Sequence, residues 1–277
     1  MPLISIVCAA YNCEKSIADT IRGIINQTFT DWEMIVVDDS SVDKTWNIIT
    51  EMSKLDCRVK PFLNKQNQGF SFTRDRAVKE ATGKIIVIND ADDISYPDRL
   101  DVIAKNFRSN PDTNIFYSNV DYYYLETNKK EKRFFQPFDK ELLKQINFIP
   151  DPGSSFCKKD YLKLGGYDTK IKLGADYDLW LRAVEAGMKF SYAEETLSQY
   201  TKHANSLTAK SSPEAVENRQ NWNRYIREKN SLAQINPKVV KKLARPEVCD
   251  FYLRDNFEIW FGYNSLSKNQ KADFSSI

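Results

Sequence analysis

The sequence has little histidine and no paired cysteines. His203 is the only histidine, and the five cysteines are widely spaced and include no C-x-x-C pair. A Cys/His zinc site needs more ligands than one histidine and scattered thiols supply. An odd number of separated cysteines favours free thiols in a reducing cytoplasm over a disulfide framework. The composition therefore excludes a zinc-binding module and a disulfide-stabilised secreted domain.

Glycine-rich phosphate-binding loops are missing as well. The first predicted strand runs into A-A-Y-N-C-E, which has no glycine, so the G-x-G-x-x-G dinucleotide motif is absent. Neither the G-x-x-x-x-G-K-S/T loop of P-loop nucleotide-binding proteins nor the G-x-S-x-G motif of α/β-hydrolases occurs. The missing dinucleotide motif excludes the NAD-dependent dehydrogenases. Most hydrolases are excluded because only one histidine is available to activate a nucleophile.

The 277-residue chain also has no strong excess of charge, since 40 Lys and Arg against 38 Asp and Glu leave a net charge of +2. A balanced charge does not predict nucleic acid as a partner. No apolar run has the length of a membrane span, and no basic leader precedes the first apolar run. We expect a cytoplasmic protein that at most attaches peripherally to the inner face of the plasma membrane.

Short β-branched runs alternate with segments of helical periodicity up to residue 110. This alternation predicts an α/β fold with a mostly parallel sheet flanked by helices, and ligands bind such sheets beyond the carboxyl ends of the strands. Gly83 is expected to terminate the third helix as its C′ residue. The predicted strands are residues 3–10, 33–37, 59–63 and 85–89, and the predicted helices are residues 17–27, 46–52, 74–81 and 97–107.

The alternation becomes irregular after residue 110. We predict strands at 115–125, 190–193 and 197–200, a charged turn at 126–133, a loop at 147–157, and helices at 158–164, 176–186, 213–228, 237–244 and 246–267. The sequence shows no internal repeat and no low-complexity linker. We therefore expect one domain at 1–210, with a nucleotide-binding half (1–110) and an acceptor half (111–210), followed by a helical C-terminal extension at 211–277.

The fourth predicted strand leads directly into D-A-D-D, which supplies Asp90, Asp92 and Asp93. Burying three carboxylates is costly without a cation, so this strand end should open into a cleft. Carboxylate oxygens suit Mg²⁺ or Mn²⁺, which bind through one or two carboxylates and the phosphates of a substrate. The alternative is a polar loop in which Asp93 acts as a cap.

Seven segments, in order along the chain, resemble the family 2 glycosyltransferases with the GT-A fold. They are I-S-I-V-C-A-A-Y-N, Q-T-F-T-D-W-E-M-I-V-V-D-D-S-S-V-D, N-Q-G-F-S-F-T-R-D-R-A-V-K-E-A-T-G, V-I-N-D-A-D-D-I-S-Y-P-D-R-L, L-G-G-Y-D, G-A-D-Y-D-L-W-L-R and Y-T-K-H-A-N-S, and they cover residues 2–206. Each segment alone is weak evidence for the family, whereas the complete set in this order is specific to it.

The resemblance implies a site for a nucleotide-diphosphate sugar, most often a UDP-sugar. Asp39 would accept the uracil N3–H, Tyr11 would flank the ring, and Ala9 would lie at the same sheet edge. Arg74 would face the nucleotide and Asp90 the ribose, although R-D-R replaces the usual R-N here. The alternatives are a helix N-cap for Asp39, simple packing for Tyr11 and an ion pair within its own helix for Arg74.

The resemblance also implies a metal and a catalytic base. Asp92 and His203 would hold Mn²⁺ or Mg²⁺, although a lone histidine is as often a plain hydrogen-bonding residue. Asp176, at the start of a helix, is the candidate base, and the alternative is an acidic residue favoured there by the helix dipole. The family usually has Glu before this position, and Ala175 stands here. In the same helix we expect Asp178 to be an exposed partner and Trp180 to belong to the acceptor wall of the cleft or to the core.

The tail beyond residue 206 resembles no family. Lys238, Lys241, Lys242 and Arg245 have the spacing of one helical face, which is either solvated or placed against anionic lipid head groups. Five aromatic residues could support such docking or simple packing: Phe251, Tyr252, Phe257, Trp260 and Phe261.

Together these patterns predict an inverting, metal-dependent glycosyltransferase that moves one sugar from a nucleotide-sugar donor to a glycan or lipid-linked oligosaccharide acceptor in surface polysaccharide biosynthesis. A homodimer is compatible with the sequence. One alternative is a non-catalytic sugar-nucleotide-binding protein, which would not need Asp176. The other is a sugar-nucleotide nucleotidyltransferase, which would need a glycine-rich basic loop after the first strand.

Overall fold

The computed structural model describes residues 1–204, 206 and 212–249. In the first part of the chain, each of the first three strands is followed by a helix, as the sequence pattern predicts. The elements are β1 (Ile4–Ala10), α1 (Ile17–Ile25), β2 (Trp32–Asp38), α2 (Thr45–Leu55), β3 (Val59–Leu63), α3 (Phe70–Glu80), β4 (Ile85–Ile88), β5 (Ile94–Ser95) and α4 (Arg99–Ser109).

The second part is less regular and contains more short elements. They are β6 (Ile115–Tyr124), β7 (Lys129–Arg133), α5 (Lys140–Gln145), β8 (Ser154–Cys157), α6 (Lys158–Lys163), α7 (Ala175–Glu185), β9 (Phe190–Lys202), α8 (Pro213–Lys229), α9 (Pro237–Leu243) and α10 (Pro246–Cys249). A 3-10 turn, Asp151–Gly153, precedes β8. The loop predicted at 147–157 is therefore wrong for its last four residues, which form β8.

The nine strands of the described residues form one mixed sheet in the order β3-β2-β1-β4-β8-β6-β9-β5, with β7 paired to β6. β1 pairs in parallel with β2 and β4, and β2 with β3. β8 runs antiparallel between β4 and β6, whereas β6 and β9 are parallel. The α/β class is confirmed. The antiparallel β8 separates the parallel strands β3, β2, β1 and β4 from the parallel pair β6–β9, to which β5 and β7 are joined in antiparallel fashion.

Helices cover both faces of the sheet, which explains why its central strands read as continuous apolar runs. Successive residues of a strand point to opposite faces. In β2, Met34 and Val36 pack in the cluster that includes α1, α2 and α4, while Ile35 and Val37 pack with α3 and α7. Because helices cover both faces, a ligand can reach this part of the sheet at the ends of its strands.

Gly83 has a packing role and does not terminate a helix as the sequence predicts. α3 ends at Glu80, and Ala81 is its C-cap. A Cβ atom on Gly83 would lie 2.6 Å from Ser5 Oγ and 2.8 Å from Ile4 C. The Gly83 N–H donates to Ser5 Oγ at 2.8 Å. Glycine is therefore needed here because the chain entering β4 lies directly against β1.

A single long strand, β9, replaces the two short strands predicted at 190–193 and 197–200. It pairs with β6 on both sides of an irregularity in which Ser118 is opposite Ala193 and Asn119 is opposite Thr196. The two residues skipped on β9 are glutamates, which interrupt the apolar pattern of the sequence. The turn predicted at 126–133 is also partly strand, because β7 forms a hairpin with β6.

The tail begins with α8, which is capped by Ser212 Oγ accepting from the Ala215 N–H at 3.3 Å. Arg245 lies beyond the end of α9 and forms an ion pair with Glu194 at 3.0 Å. The prediction that it shares a helical face with the three lysines of α9 is therefore wrong. Within the described residues, the helices are too short or too polar to span a membrane. The five tail aromatics, from Phe251 to Phe261, lie outside the described residues.

Candidate active site

One cleft of about 1770 Å³ lies where the carboxyl ends of β1, β2 and β4 face the start of α7 and the end of β9. This is the edge at which parallel α/β sheets bind ligands. All the residues predicted for the site line this cleft: Ala9, Tyr11, Asp39, Arg74, Asp90, Asp92, Asp176 and His203. Side chains separated by up to 194 positions in the sequence are thus brought to one cavity.

Asp39 is held by the loop that precedes α3. Its buried carboxylate accepts hydrogen bonds from the backbone N–H groups of Gln68 at 2.9 Å and Gly69 at 2.8 Å, and from Asn64 Nδ2 at 2.6 Å. α2 begins at Thr45, so Asp39 does not cap it and the N-cap alternative is wrong. The bonds fix the carboxylate at the base of the cleft, and its Oδ2, which accepts one N–H, retains a lone pair for a ligand.

The turn after β1 forms the rim beside Asp39. Ala9 is opposite Val37 in the β1–β2 register, and the side chain of Tyr11 is 50% exposed instead of packed in the core. Asn12 has a positive φ of 49°, and its N–H donates to Ser41 Oγ at 2.9 Å. This hydrogen bond holds the turn against the β2–α2 loop. The backbone at Tyr11 is therefore fixed, while its ring stays exposed to the cleft.

Arg74 is a buried cation, 2% exposed, that joins two carboxylates from separate parts of the chain. One guanidinium nitrogen donates to Asp90, which follows β4, and the other to Asp151 in the 3-10 turn before β8. The ring of Phe70 lies 4.1 Å from the guanidinium carbon. Its neighbour on the helix, Asp75, pairs with a lysine instead. The predicted alternative of an ion pair within α3 is therefore wrong for Arg74.

Asp151 is a cleft residue that the sequence prediction missed. Burial raises the pKa of Asp151 to about 7, and the nearby charges of Asp176 and Asp90 add to this, while Arg74 opposes it. Its Oδ1 is buried without a hydrogen-bond partner among the described residues. Asp151 stands in D-P-G within the loop predicted at 147–157, where a lone aspartate is typical of an ordinary turn, so its pattern was only a weak signal of function.

Asp92 and His203 form a direct pair, with His203 Nε2 2.9 Å from Asp92 Oδ2. Burial raises the pKa of Asp92, with a further contribution from Asp90, while His203 opposes the rise. Next to this pair, Asp93 Oδ1 accepts a hydrogen bond from the Thr201 N–H at 2.9 Å. Asp93 therefore fastens the D-A-D-D loop to β9, and the alternative in which it acts as a cap of that loop is wrong.

The Asp92–His203 pair fits a divalent ion that receives its other ligands from a substrate. Ligands 2.0–2.1 Å from an octahedral ion lie about 3 Å from one another, which is close to the separation of these two donor atoms. In the part of the chain that the structure describes, no three His, Cys, Asp or Glu side chains are grouped to hold a metal. Two protein ligands and an open shell suit an ion that also binds phosphate oxygens.

Asp176 lies in the first turn of α7, after Gly174, which has a φ of 80°. Its Oδ2 accepts a hydrogen bond from Asn147 Nδ2 at 2.8 Å. Burial raises the pKa of Asp176, while the bond from Asn147 and the charge of Arg74 oppose the rise. The carboxylate is thus aimed into the cleft by a specific partner, in a position that can accept a proton from a bound hydroxyl.

The residues that follow Asp176 belong to the core. Asp178 is fully buried and pairs with Arg182 and Lys229, each at 2.8 Å. The expectation that Asp178 is an exposed partner is therefore wrong. Trp180 is also fully buried, so of its two expected roles, cleft wall or core, the structure shows core.

The profile of the family described as "Glycosyl transferase family 2" matches residues 5–165. An uncharacterized glycosyltransferase of Methanocaldococcus jannaschii, MJ1057, is 36% identical over 208 residues, which are 72% of this chain and 70% of that protein. The UDP-Glc:alpha-D-GlcNAc-diphosphoundecaprenol beta-1,3-glucosyltransferase WfaP of Escherichia coli is 28% identical over 92% of this chain and 94% of its own.

Two solved structures share the fold at low sequence identity. S. aureus TarS 1–349 in complex with UDP-GlcNAc has a TM-score of 0.67 and 16% identity, covering 98% of this chain and 79% of that one. The mannosyltransferase PcManGT from Pyrobaculum calidifontis, in complex with GDP-Man and Mn²⁺, has a TM-score of 0.62 and 16% identity, covering 99% and 79%. This chain covers 50% of a longer TarS structure.

Proposed function

The chain belongs to glycosyl transferase family 2, and on that premise we propose that it moves one sugar from a UDP-sugar to a hydroxyl group of a lipid-linked or glycan acceptor, with inversion at the anomeric carbon. The observation that carries this proposal is the shared cleft of Asp39, the Asp92–His203 pair and Asp176. Asp39 would hold the nucleobase of the donor, the Asp92–His203 pair would hold its diphosphate leaving group, and Asp176 would contact the acceptor hydroxyl.

The donor would lie along the strand ends. Asp39 would accept the N3–H of uracil, with Tyr11 against the ring and Ala9 beneath it, and Asp90 would contact the ribose. Arg74 already holds Asp90 in place, so it would act on the nucleotide side by fixing that carboxylate. The choice of uracil is supported by the names of WfaP, which uses UDP-Glc, and of the TarS complex with UDP-GlcNAc.

Asp92 and His203 would hold Mn²⁺ or Mg²⁺ together with the donor's diphosphate. The ion would neutralise the negative charge that develops on the departing nucleoside diphosphate. The Mn²⁺ complex of PcManGT supports a divalent ion in this fold. Asp93 would keep the two ligands aligned, because it fastens their two segments to each other.

Asp176 would act as the general base. Its carboxylate would take the proton from the acceptor hydroxyl while the hydroxyl oxygen forms a bond to the anomeric carbon. At the same time the bond from that carbon to the diphosphate oxygen would break, and UDP would leave with the electron pair. Positioning and electrostatics would supply most of the rate, since no covalent intermediate is required.

The acceptor half, residues 111–210, would bind the acceptor, a saccharide that is extended during the biosynthesis of a surface polysaccharide. WfaP acts on a GlcNAc-diphosphoundecaprenol acceptor by its name, and it aligns with nearly the whole chain. This supports a lipid-linked acceptor for the present protein. The proposal of a lipid-linked acceptor does not depend on which hexose is donated.

The test uses purified protein, UDP-sugars and Mn²⁺, and follows UDP release and transfer to a lipid-diphosphate GlcNAc acceptor. We expect Asp92→Ala and Asp176→Asn each to lower kcat by roughly 10²–10⁴-fold. Asp176→Asn should still bind UDP with Mn²⁺, because it leaves the donor contacts intact. The control Asp112→Asn changes an exposed carboxylate and should be fully active.

Three results would contradict the proposal. Full transfer by Asp176→Asn would remove Asp176 as the base. Binding of UDP-sugars without any turnover, in the wild-type protein with every acceptor tried, would favour a non-catalytic sugar-nucleotide-binding protein. Release of pyrophosphate in place of UDP would indicate a nucleotidyltransferase.

A further inference from the structure

Tyr167 and Asp151 each place an unpartnered polar atom in the wall of the cleft. The hydroxyl oxygen of Tyr167 and Oδ1 of Asp151 are buried, and neither has a hydrogen-bond partner among the residues that the structure describes. Both residues line the cleft. Most buried polar groups in folded proteins are hydrogen-bonded, so an orphaned pair beside a ligand cleft indicates a group that arrives with the ligand.

The two residues lie beside the same cation. One terminal guanidinium nitrogen of Arg74 donates to Oδ2 of Asp151, which leaves Oδ1 open. The ring centroid of Tyr167 lies 5.9 Å from the guanidinium carbon of Arg74. The hydroxyl of Tyr167 and Oδ1 of Asp151 do not bond to each other, since each is without a partner in the described part of the chain. Both atoms are therefore free to bond to a third group.

The ring of Tyr167 is held in place by its neighbours. Its backbone N–H donates to the hydroxyl of Tyr161 at 2.9 Å, and that hydroxyl donates to Asp75 Oδ1 at 2.6 Å. The two tyrosine rings pack edge to face with their centroids 5.3 Å apart, and Tyr167 is only 4% exposed. A ring packed in this way does not turn to find another partner, so its hydroxyl is preorganised for a ligand.

The roles of the two open atoms decide which group can bind. Burial raises the pKa of Tyr167, while the charge of Arg74 opposes the rise. The charges of Asp151 and Asp176 raise it further, so the hydroxyl keeps its proton and can donate it. Oδ1 of Asp151 can accept. A hydroxyl group matches both, because its oxygen accepts one hydrogen bond while its hydrogen is donated in another. A phosphate or carboxylate offers acceptors only, and Asp151 would repel it.

We propose that Tyr167 and Asp151 form a hydroxyl-recognition subsite, which binds one ring hydroxyl of the transferred sugar and thereby selects the donor. The inference rests on the proposed function, in which Asp90 contacts the ribose and Asp176 the acceptor hydroxyl. The transferred sugar must lie between these two contacts, and Arg74 joins Asp151 to the ribose side. A site built to bond a hydroxyl rejects an analogue without it, because its buried polar groups are then left unpaired.

The stability of Tyr167→Phe tests whether the hydroxyl has a partner within the protein. The variant loses one oxygen atom and no described hydrogen bond, so its free energy of unfolding in urea should equal or exceed that of the wild type. The matched control is Tyr161→Phe, which loses a hydroxyl with two partners and should be less stable. A similar loss in Tyr167→Phe would show that its hydroxyl is structural and overturn the proposal.

Ligand binding tests the subsite directly. Calorimetry with Mn²⁺ would compare UDP, UDP-glucose, UDP-galactose, UDP-GlcNAc and the monodeoxy analogues of whichever UDP-sugar binds most tightly. Tyr167→Phe should bind UDP as the wild type does and that UDP-sugar about tenfold more weakly. One monodeoxy analogue should bind the wild type about tenfold more weakly than its parent, and Tyr167→Phe should not distinguish the two. The control Tyr225→Phe, an exposed tyrosine of α8, should match the wild type.

The outcomes separate this subsite from the proposed function. Unchanged UDP-sugar binding by Tyr167→Phe would show that only water bridges the two atoms, and equal weakening of UDP would assign Tyr167 to the nucleotide. Either result would overturn the subsite and leave the transferase intact. The expected discrimination without any sugar transfer would support the subsite and overturn the transferase. Failure of the wild-type protein to bind any UDP-sugar would overturn both.

Discussion

Three carboxylates of the cleft have partners that oppose the effect of burial on the pKa. His203 does so for Asp92, and Arg74 for Asp151. For Asp176 the first such partner is a neutral amide, Asn147. A neutral donor stabilises the ionised carboxylate without pairing its charge, so the oxygen not bonded to Asn147 stays available to accept a proton.

Replacement of Asn147 tests this arrangement. Asn147→Leu removes the N–H donor, so the pKa of Asp176 should rise and the fall of kcat/KM on the acid side should move to higher pH. We expect a loss of about tenfold at the acid end and a smaller loss at high pH, where Asp176 is ionised in either protein. The control Asn110→Leu, at the exposed end of α4, should keep the wild-type profile. An unmoved profile in Asn147→Leu would show that the amide does not set the ionisation of Asp176.

Asp93 allows a test of metal binding by a residue that would not touch the metal. Asp93→Ala removes the acceptor of the Thr201 N–H, which aligns the D-A-D-D loop with the end of β9. We expect Mn²⁺ to bind about tenfold more weakly in the presence of UDP, as measured by calorimetry. Asp93→Asn retains an oxygen for the same bond and should restore the affinity. Equal Mn²⁺ affinity in the alanine variant would show that the two segments are aligned by other contacts.

At the scale of elements, the close approach of β4 to β1 depends on Gly83. Gly83→Ala would place a methyl group 2.6 Å from Ser5 Oγ and 2.8 Å from backbone atoms of Ile4 and Ser5, which cannot move freely. We expect the free energy of unfolding to fall by about 1–3 kcal/mol in chemical denaturation.

The matched control for that prediction is Gly23→Ala in α1. Its Cβ atom would meet Ser95 O at an ordinary 3.5 Å. Alanine in the middle of a helix is favoured over glycine by about 0.5–1 kcal/mol, so this variant should be as stable as the wild type or more so. If both variants were equally stable, the tight contact at Gly83 would be absorbed by a shift of the chain.

The sequence predicted the elements that bury a regular apolar pattern, such as β1, β2 and α7. It failed where the environment comes from distant segments. β8 has four residues and no periodicity that separates it from a loop, and its strand character comes from β4 and β6 on either side. Asp178 has an ordinary helix pair with Arg182, and it is buried because Lys229 of α8 covers it. The predicted site residues came from the strand ends and from the family resemblance, and Asp151 was missed because neither of these includes it.

At the scale of the molecule, Arg74 links the two halves of the sheet by joining Asp90 and Asp151. Its two terminal guanidinium nitrogens each donate to one of these carboxylates, so a single buried cation spans the segments that follow β4 and precede β8. These two segments of the cleft are therefore coupled through one side chain.

The stability of the whole fold should depend on pH through Asp151. Its pKa of about 7 in the folded protein lies above the ordinary value of 3.8, so the folded state binds this proton more tightly than the unfolded state does. The contribution of Asp151 to the free energy of unfolding should therefore decrease as the pH rises from about 4 to about 7. Asp151→Asn should have a flatter stability–pH curve than the wild type in urea titrations, with Asp112→Asn as the control. The same slope in Asp151→Asn would contradict the shifted ionisation.

Asp92 and His203 are 111 positions apart in the sequence, and they come into contact only after β9 has paired with β6. A nascent chain that has emerged only as far as β6 carries the aspartate without its histidine. If the pair holds the ion as proposed, retention of Mn²⁺ by the chain would report that synthesis has passed β9 and that this strand has been inserted into the sheet. A metal-retention assay would then measure the maturation of the protein independently of its turnover.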